Sequence, residues 1–240
     1  MTSYKGEQLL HAVRFPGESD EYRAARDELL RAEIELRRHE EEVAAQRRDL
    51  PLGGELQTDY DFVAWDAGTS AARQVRLSDL FGDKDTLFFY SFMFIPGGHG
   101  QPLEQGCPSC TSIIDAVDGE IPHVTQRLAF AAGAKVPIEQ FRTHGDSRGW
   151  RHVRLVSTAG TTYNEDYAAE TTEGAQLPIA TVFTRADGRI HHRWSSELLF
   201  GPTDPGQHPR HVDFMWPVWS MFDRTPAGRG TDWHPRLGYD

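Results

Sequence analysis

The sequence predicts an α/β fold in which a mixed sheet is flanked by helices and preceded by a long N-terminal helical arm. Three observations carry this expectation. Residues 19–48 form one charged stretch without Gly or Pro. From residue 59 onward, strand-like apolar runs alternate with helix-like ones, the pattern of a sheet covered by helices. The last two strand-like runs are joined by a tight Gly turn, which makes them a hairpin. The arm is placed at residues 1–50 and the sheet domain at 51–240.

Ser19 is the expected N-cap of the arm helix, with Asp20 and Glu21 in its first turn at the positive dipole end. Tyr22, Leu29, Leu36 and Val43 fall seven residues apart on a rod that is otherwise charged. Such a narrow stripe suits a helix lying on a domain surface, and it is also compatible with a homodimer seam. "LPLGG" at 50–54 ends the helix. "DYDFVAWD" at 59–66 alternates as a strand does. "VRLSDLFGDK" at 75–84 reads as a short helix or turn. "TLFFYSFMF" at 86–94 is apolar on both faces, as in a strand buried mid-sheet. The Gly- and Pro-rich stretch 95–106 reads as a loop. "SCTSIIDAVDG" then has helical spacing, with Ile113, Ile114 and Val117 inward.

Further along, 127–134 reads as a strand, 137–145 as a helix and 151–158 as a strand. Residues 179–194 read as a hairpin turning at Ala186-Asp187-Gly188. "YNEDY" at 163–167 reads as a solvated loop, and 201–209 as another loop. Residues 210–222 read as an aromatic helix interrupted at Pro217, whose rings serve core packing.

Bulk properties narrow the function. The 240 residues carry a net charge of -11, so a dominant nucleic-acid surface is not expected. The N-terminus lacks an apolar leader segment. The longest apolar run, 87–95, falls far short of the roughly 20 residues a bilayer span needs. A soluble cytoplasmic protein without membrane partners is expected. In that compartment a close cysteine pair is more often catalytic or metal-binding than a structural staple.

Both cysteines of the chain, Cys107 and Cys110, lie in "CPSC", after the most apolar run and at the head of a helix. A thiol at a helix N-terminus is stabilised as thiolate by free N–H groups and the dipole. Its ionisation typically drops from about 8.5 into the range of about 3.5–7.5. Cys107 is the expected exposed nucleophile. Cys110, one turn on, is the expected resolving thiol, and Pro108 suits the first helical position. Metal is the rival reading. Structural zinc needs four N or S ligands, and only scattered histidines (His99, His123, His191, His192) could complete a set. His191 and His192 are strand neighbours that point to opposite faces. No metal and no cofactor is therefore expected.

The strand–C-x-x-C–helix unit, followed by "LPIATVF" at 177–183, resembles the thioredoxin-like arrangement. That resemblance implies a cis bond before Pro178, which would face the cysteine pair as a third site residue. The ordered set "AARDELLRAEIELRRHEEEVAAQRRDLP", "DYDF", "LSDLF", "FYSFMF", "GCPSCTSIIDAV", "YNEDY", "TVFTRADGRIHH" and "FDRTPAGRG" resembles one thioredoxin-like family. This is domain of unknown function 899, described as predicted dithiol-disulfide oxidoreductases, and the resemblance covers roughly residues 22–230. It implies a redox role for Cys107 and Cys110 with a protein or small-molecule thiol or disulfide as partner. A thiol peroxidase is the weaker reading, since Glu104 stands where peroxiredoxins carry Thr three residues before their cysteine. A zinc or copper carrier and a non-enzymatic binding module are also compatible with a lone cysteine pair.

Overall fold

The computed structural model describes residues 10–66, 68–69, 71–96 and 103–238. Residues 1–9, which head the N-terminal stretch read for a leader, lie outside the described residues, as do loop residues 97–102 with the candidate ligand His99. The chain forms two compact units, Met1–Pro51 and Leu52–Asp240. Among the described residues no helix is long and apolar enough to cross a membrane.

In the first unit, helix α1 spans Asp20–Asp49. Ser19 Oγ accepts the Tyr22 N–H at 3.1 Å, so the expected cap forms. Arg47 and Arg48 in the last turn complement the carbonyl end.

The second unit is built on a seven-stranded sheet. Its strands are β1 (Asp61–Trp65), β2 (Arg73–Arg76), β3 (Thr86–Ser91), β6 (Ala129–Ala134), β7 (Leu155–Ser157), β8 (Ala180–Ala186) and β9 (Arg189–Ser195), in the order β2-β1-β7-β6-β3-β8-β9. Strands β3, β6 and β7 run parallel, while β1–β2, β1–β7, β3–β8 and β8–β9 pair antiparallel. A parallel centre continued by an antiparallel hairpin is the thioredoxin-like arrangement. Helix α2 (Pro108–Val117) and the single turn α3 (Ile121–Val124) lie between β3 and β6 in the chain, and α4 (Ile138–Arg148) between β6 and β7. Such crossovers are what parallel strands require.

Strand β3 shows why the sheet has two cores. Its side chains alternate, as a period of two demands. Leu87 and Phe89 enter one core with Phe62, Tyr163 and Phe183. Phe88 and Tyr90 pack into the other, with Ile113, Ile114, Phe141 and Trp216. Strand β6 is buried along its whole length and is made of small residues plus Phe130. The smallness is required, since a Cβ at Gly133 would come within 2.2 Å of the Phe89 ring. The β8–β9 turn places Asp187 and Gly188 at φ +52° and +75°, the left-handed pair of a tight hairpin.

Several expectations need correction. The strand expected over 86–94 stops at Ser91. Phe94–Pro96 (β4) then pairs with Leu103–Gly106 (β5), so the expected loop 95–106 is a separate two-stranded hairpin. The short helix or turn expected over 75–84 is the 3-10 turn Leu77–Phe81, and strand β2, just ahead of it, is a strand that the sequence reading did not include. It has one buried residue, Val75, so its pattern carries little apolar signal. The solvated loop expected at 163–167 is a helical turn, α5 (Tyr163–Asp166). Asp166 Oδ2 there accepts hydrogen bonds from Tyr60 Oη (2.7 Å) and Thr162 Oγ1 (2.6 Å). The interruption expected at Pro217 is present: the aromatic segment divides into a 3-10 turn, Asp213–Met215, and α6 (Pro217–Phe222), because Pro217 can begin a helix but not continue one.

Candidate active site

The β4–β5 hairpin delivers the cysteines. Strand β3 ends at Ser91, and Cys107 N donates to Met93 O at 3.0 Å as the hairpin closes. The start of the hairpin is clamped by Gln176, whose Oε1 accepts the Phe94 N–H at 2.9 Å. Cys107 is the N-cap of α2 and Pro108 its first residue. The lost N–H of Pro108 costs nothing there. The Cys107 carbonyl accepts from Thr111 N and Thr111 Oγ1, both at 2.9 Å, which fixes the first turn.

The two sulfurs occupy opposite environments. The Cys107 sulfur interacts above all with the Cys110 thiol, then with the backbone N–H groups of Cys110 and Ser109 and the Ser109 hydroxyl. These donors favour the thiolate and outweigh the opposing effect of burial, lowering the Cys107 pKa from 9.0 to about 6. Cys110 is fully buried. Burial, and then the neighbouring Cys107 sulfur, push its thiol well above its ordinary range. The two shifts favour a thiolate on Cys107 and a neutral thiol on Cys110. One correction applies to Cys107. Against the expectation of an exposed nucleophile, it is only 8% exposed, because its residue is seated between the hairpin end and α2.

Helix α2 is held in place by charge and by rings. Arg148 Nη2 donates to Asp115 Oδ2 at 2.6 Å, and Trp150 Nε1 donates to Asp115 Oδ1 at 2.7 Å. At the helix end Asp118 accepts the N–H groups of Arg151, His152 and Val153 at 2.9–3.0 Å. His144, on α4, lies among the rings of Phe92, Phe94 and Trp150. Its Nε2 is 2.9 Å from Thr111 Oγ1. The Thr111 hydroxyl spends its hydrogen on the Cys107 carbonyl, so His144 donates, which selects its Nε2–H tautomer. Burial, aided by Arg148, lowers the His144 pKa and keeps the ring neutral. Gly106 makes this approach feasible, since a Cβ there would come within 2.6 Å of the imidazole.

Pro178 precedes β8, next to the rung in which Ser91 N donates to Ile179 O at 2.8 Å. It therefore sits at the end of the sheet from which the chain leaves toward Cys107. The expected cis bond is absent, for every peptide bond among the described residues is trans. The Pro178 carbonyl is instead held by His211 Nε2 at 2.8 Å. The histidines considered as metal ligands are dispersed. His192 Nε2 meets Ser195 Oγ at 2.9 Å, His191 Nδ1 lies 3.3 Å from Gly53 O, and His123 is on α3. Among the described residues no three His, Cys, Asp or Glu side chains are grouped to hold a metal ion.

One cavity, of about 840 Å³, is lined by Tyr60, Tyr167, His192 and Ser195. A second, of about 730 Å³, is formed by tail residues such as Trp233 and Arg236 over Ser112 of α2. Ser112 Oγ accepts from Trp216 Nε1 at 2.9 Å. Sequence reasoning missed Thr111 and His144. Thr111 was in principle accessible, being four residues past Cys107 on a helix. His144 is brought in only by tertiary packing.

The parallel-centred sheet and the C-x-x-C heading the helix after its central strand define a thioredoxin-like protein with a vicinal dithiol. The chain belongs to the family described as bacterial protein of unknown function, DUF899, which it matches over residues 13–239. No curated protein matches it. Solved structures with some likeness include the reduced 2-Cys peroxiredoxin of Plasmodium vivax, at 16% identity and TM-score 0.42 over 58% of this chain and 81% of that one. Thioredoxin peroxidase I of Plasmodium yoelii is 15% identical, with TM-score 0.44 over 78% of this chain and 100% of that one. AhpC of Mycobacterium tuberculosis is 12% identical, with TM-score 0.42 over 70% and 95%. Likenesses this distant say nothing about chemistry.

Proposed function

We propose that the protein is a cytoplasmic dithiol–disulfide oxidoreductase. The observation that carries this reading is the placement of the pair: Cys107 caps α2 beside its free N–H groups, which favour a thiolate, while its neighbour Cys110 is fully buried, which favours the neutral thiol. The Cys107 thiolate attacks a partner disulfide, R–S–S–R′. A Cys107–S–S–R bond forms and R′–S⁻ leaves. Cys110 then attacks the Cys107 sulfur and gives up its proton, and R–SH leaves. The partner gains two electrons and the protein ends as the Cys107–Cys110 disulfide. A protein or small-molecule dithiol restores it by the reverse steps, and the relative potentials set the direction. Pro178, ahead of β8 at the same end of the sheet, is assigned a place on the partner-facing side of the site.

The test is a redox titration in dithiothreitol and glutathione buffers, read by intact mass, with zinc and copper assayed in the same sample. A reversible loss of two hydrogens without metal, abolished in Cys107→Ser, is the expected result. Stoichiometric metal with no accessible disulfide overturns it. Rapid turnover of hydrogen peroxide, outpacing that of disulfides, would move the protein to the peroxidases.

A further inference from the structure

Tyr90 is the penultimate residue of β3 and points into the core that holds both cysteines. Its side chain has no solvent exposure. Its hydroxyl has no regular hydrogen-bond partner among the described residues and is sealed in the same buried cluster as Cys110, and the two groups shift each other's ionisation. A buried hydroxyl without a partner costs stability, so its presence against a reactive sulfur calls for a reason.

We propose that Tyr90 is a catalytic residue of the resolving step, whose hydroxyl donates to the Cys110 sulfur as negative charge develops there. The proposal rests on the dithiol reading of the pair. In the free reduced protein Cys110 is a neutral thiol directed at the Cys107 thiolate, and the Tyr90 hydroxyl has nothing charged to bond. Once Cys107 is tied to a partner, that thiolate is gone. Cys110 must then carry the charge itself, with burial opposing it. The attack forms the Cys110–Cys107 bond, breaks the Cys107–S–R bond and releases the Cys110 proton with R–SH. Tyr90 gives a hydrogen bond throughout and keeps its own proton. Met93 N–H is the other donor acting on this sulfur, so the charge is met by two donors in a dry core. A donor engaged in the transition state but idle in the ground state lowers the barrier without deepening the resting well.

The test uses the full chain and dithionitrobenzoate as the disulfide. The first thionitrobenzoate released reports attack by Cys107, and the second reports resolution by Cys110. In Tyr90→Phe the first release is expected to keep its wild-type rate. The second is expected to slow roughly tenfold to a hundredfold, the weight of one charge-assisted hydrogen bond. The melting temperature of the reduced variant should stay equal or rise, because an unpaired buried hydroxyl has been removed. A fluorotyrosine at position 90, a stronger donor of nearly the same shape, should accelerate the second release and keeps the test open if the Phe variant folds poorly. Unchanged second-phase rates in both variants overturn the role of Tyr90 while leaving the dithiol reading intact. A wild-type protein that never releases the second thionitrobenzoate overturns both.

Discussion

The two ends of the cysteine pair lie one helical turn apart and differ in nearly every physical respect. Cys107 caps α2 and collects N–H, hydroxyl and thiol donors, whereas Cys110 is turned into a core of Tyr90, Ile113, Ile114 and Phe141. Helix geometry, burial and the contact between the two thiols produce the contrast together. The first residue of a helix meets its free N–H groups, and the residue three positions on faces the sheet. A vicinal dithiol at such a junction is thus biased toward a thiolate at Cys107 and a neutral thiol at Cys110.

Removing either member should break the comparison most severely. Cys107→Ser is expected to lose disulfide reductase activity down to background. Cys110→Ser should stop after one step and accumulate the Cys107 mixed disulfide, seen as added partner mass. Equal, partial losses in both variants would contradict the division of labour.

Acid should act next most strongly. With Cys107 ionising at about 6, the rate of its first attack should be nearly flat at neutral pH. Below pH 6 it should fall roughly tenfold per unit as the thiolate is protonated. The same shift links to stability. The folded value of Cys107 lies below its ordinary 9.0, so its contribution is fully present above pH 9 and is lost as pH falls through about 6. Cys110 is raised and acts oppositely, withdrawing stability as pH climbs past 9.0. Urea unfolding of the reduced protein against pH should therefore show stability rising between 6 and 9, an effect absent from Cys107→Ser.

A smaller effect is expected from the chain His144–Thr111–Cys107 carbonyl. Thr111→Val removes the hydroxyl that links the imidazole to the first turn of α2. It should raise the Cys107 pKa by about one unit, a tenfold loss of thiolate at pH 5, through looser orientation of the N–H donors. Thr111→Ser should restore it. The smallest effect is assigned to Pro178→Ala, a few-fold rise in KM for a protein disulfide with the thiolate pKa unmoved. A change in that pKa would place Pro178 among the groups that set up Cys107 instead.

What the sequence disclosed was what short-range chemistry determines. The N-cap at Ser19, the helix headed by C-P-S-C and the Asp187-Gly188 hairpin each depend on a few adjacent residues. What it concealed depends on distant partners. Strand β2 is recognisable only through its pairing with β1, since three of its four residues face solvent. The β4–β5 hairpin lies in a stretch whose Gly and Pro content signals a loop. The cis bond at Pro178 was carried over from a resemblance, and the chain there is trans, its carbonyl taken by His211 from 33 residues away. Tyr90 was visible only as one apolar letter in a strand. Cys110, which shares its buried cluster, lies 20 positions on.

The central claim is that one thiolate and one retained proton are built into the pair. Ultraviolet titration of the reduced protein, with Cys107→Ser and Cys110→Ser alongside, measures this directly. The account predicts one thiol ionising near pH 6, assigned to Cys107, and no second ionisation until well above pH 9. Two thiols ionising together near pH 9, with neither variant altering the curve of the other, would contradict it.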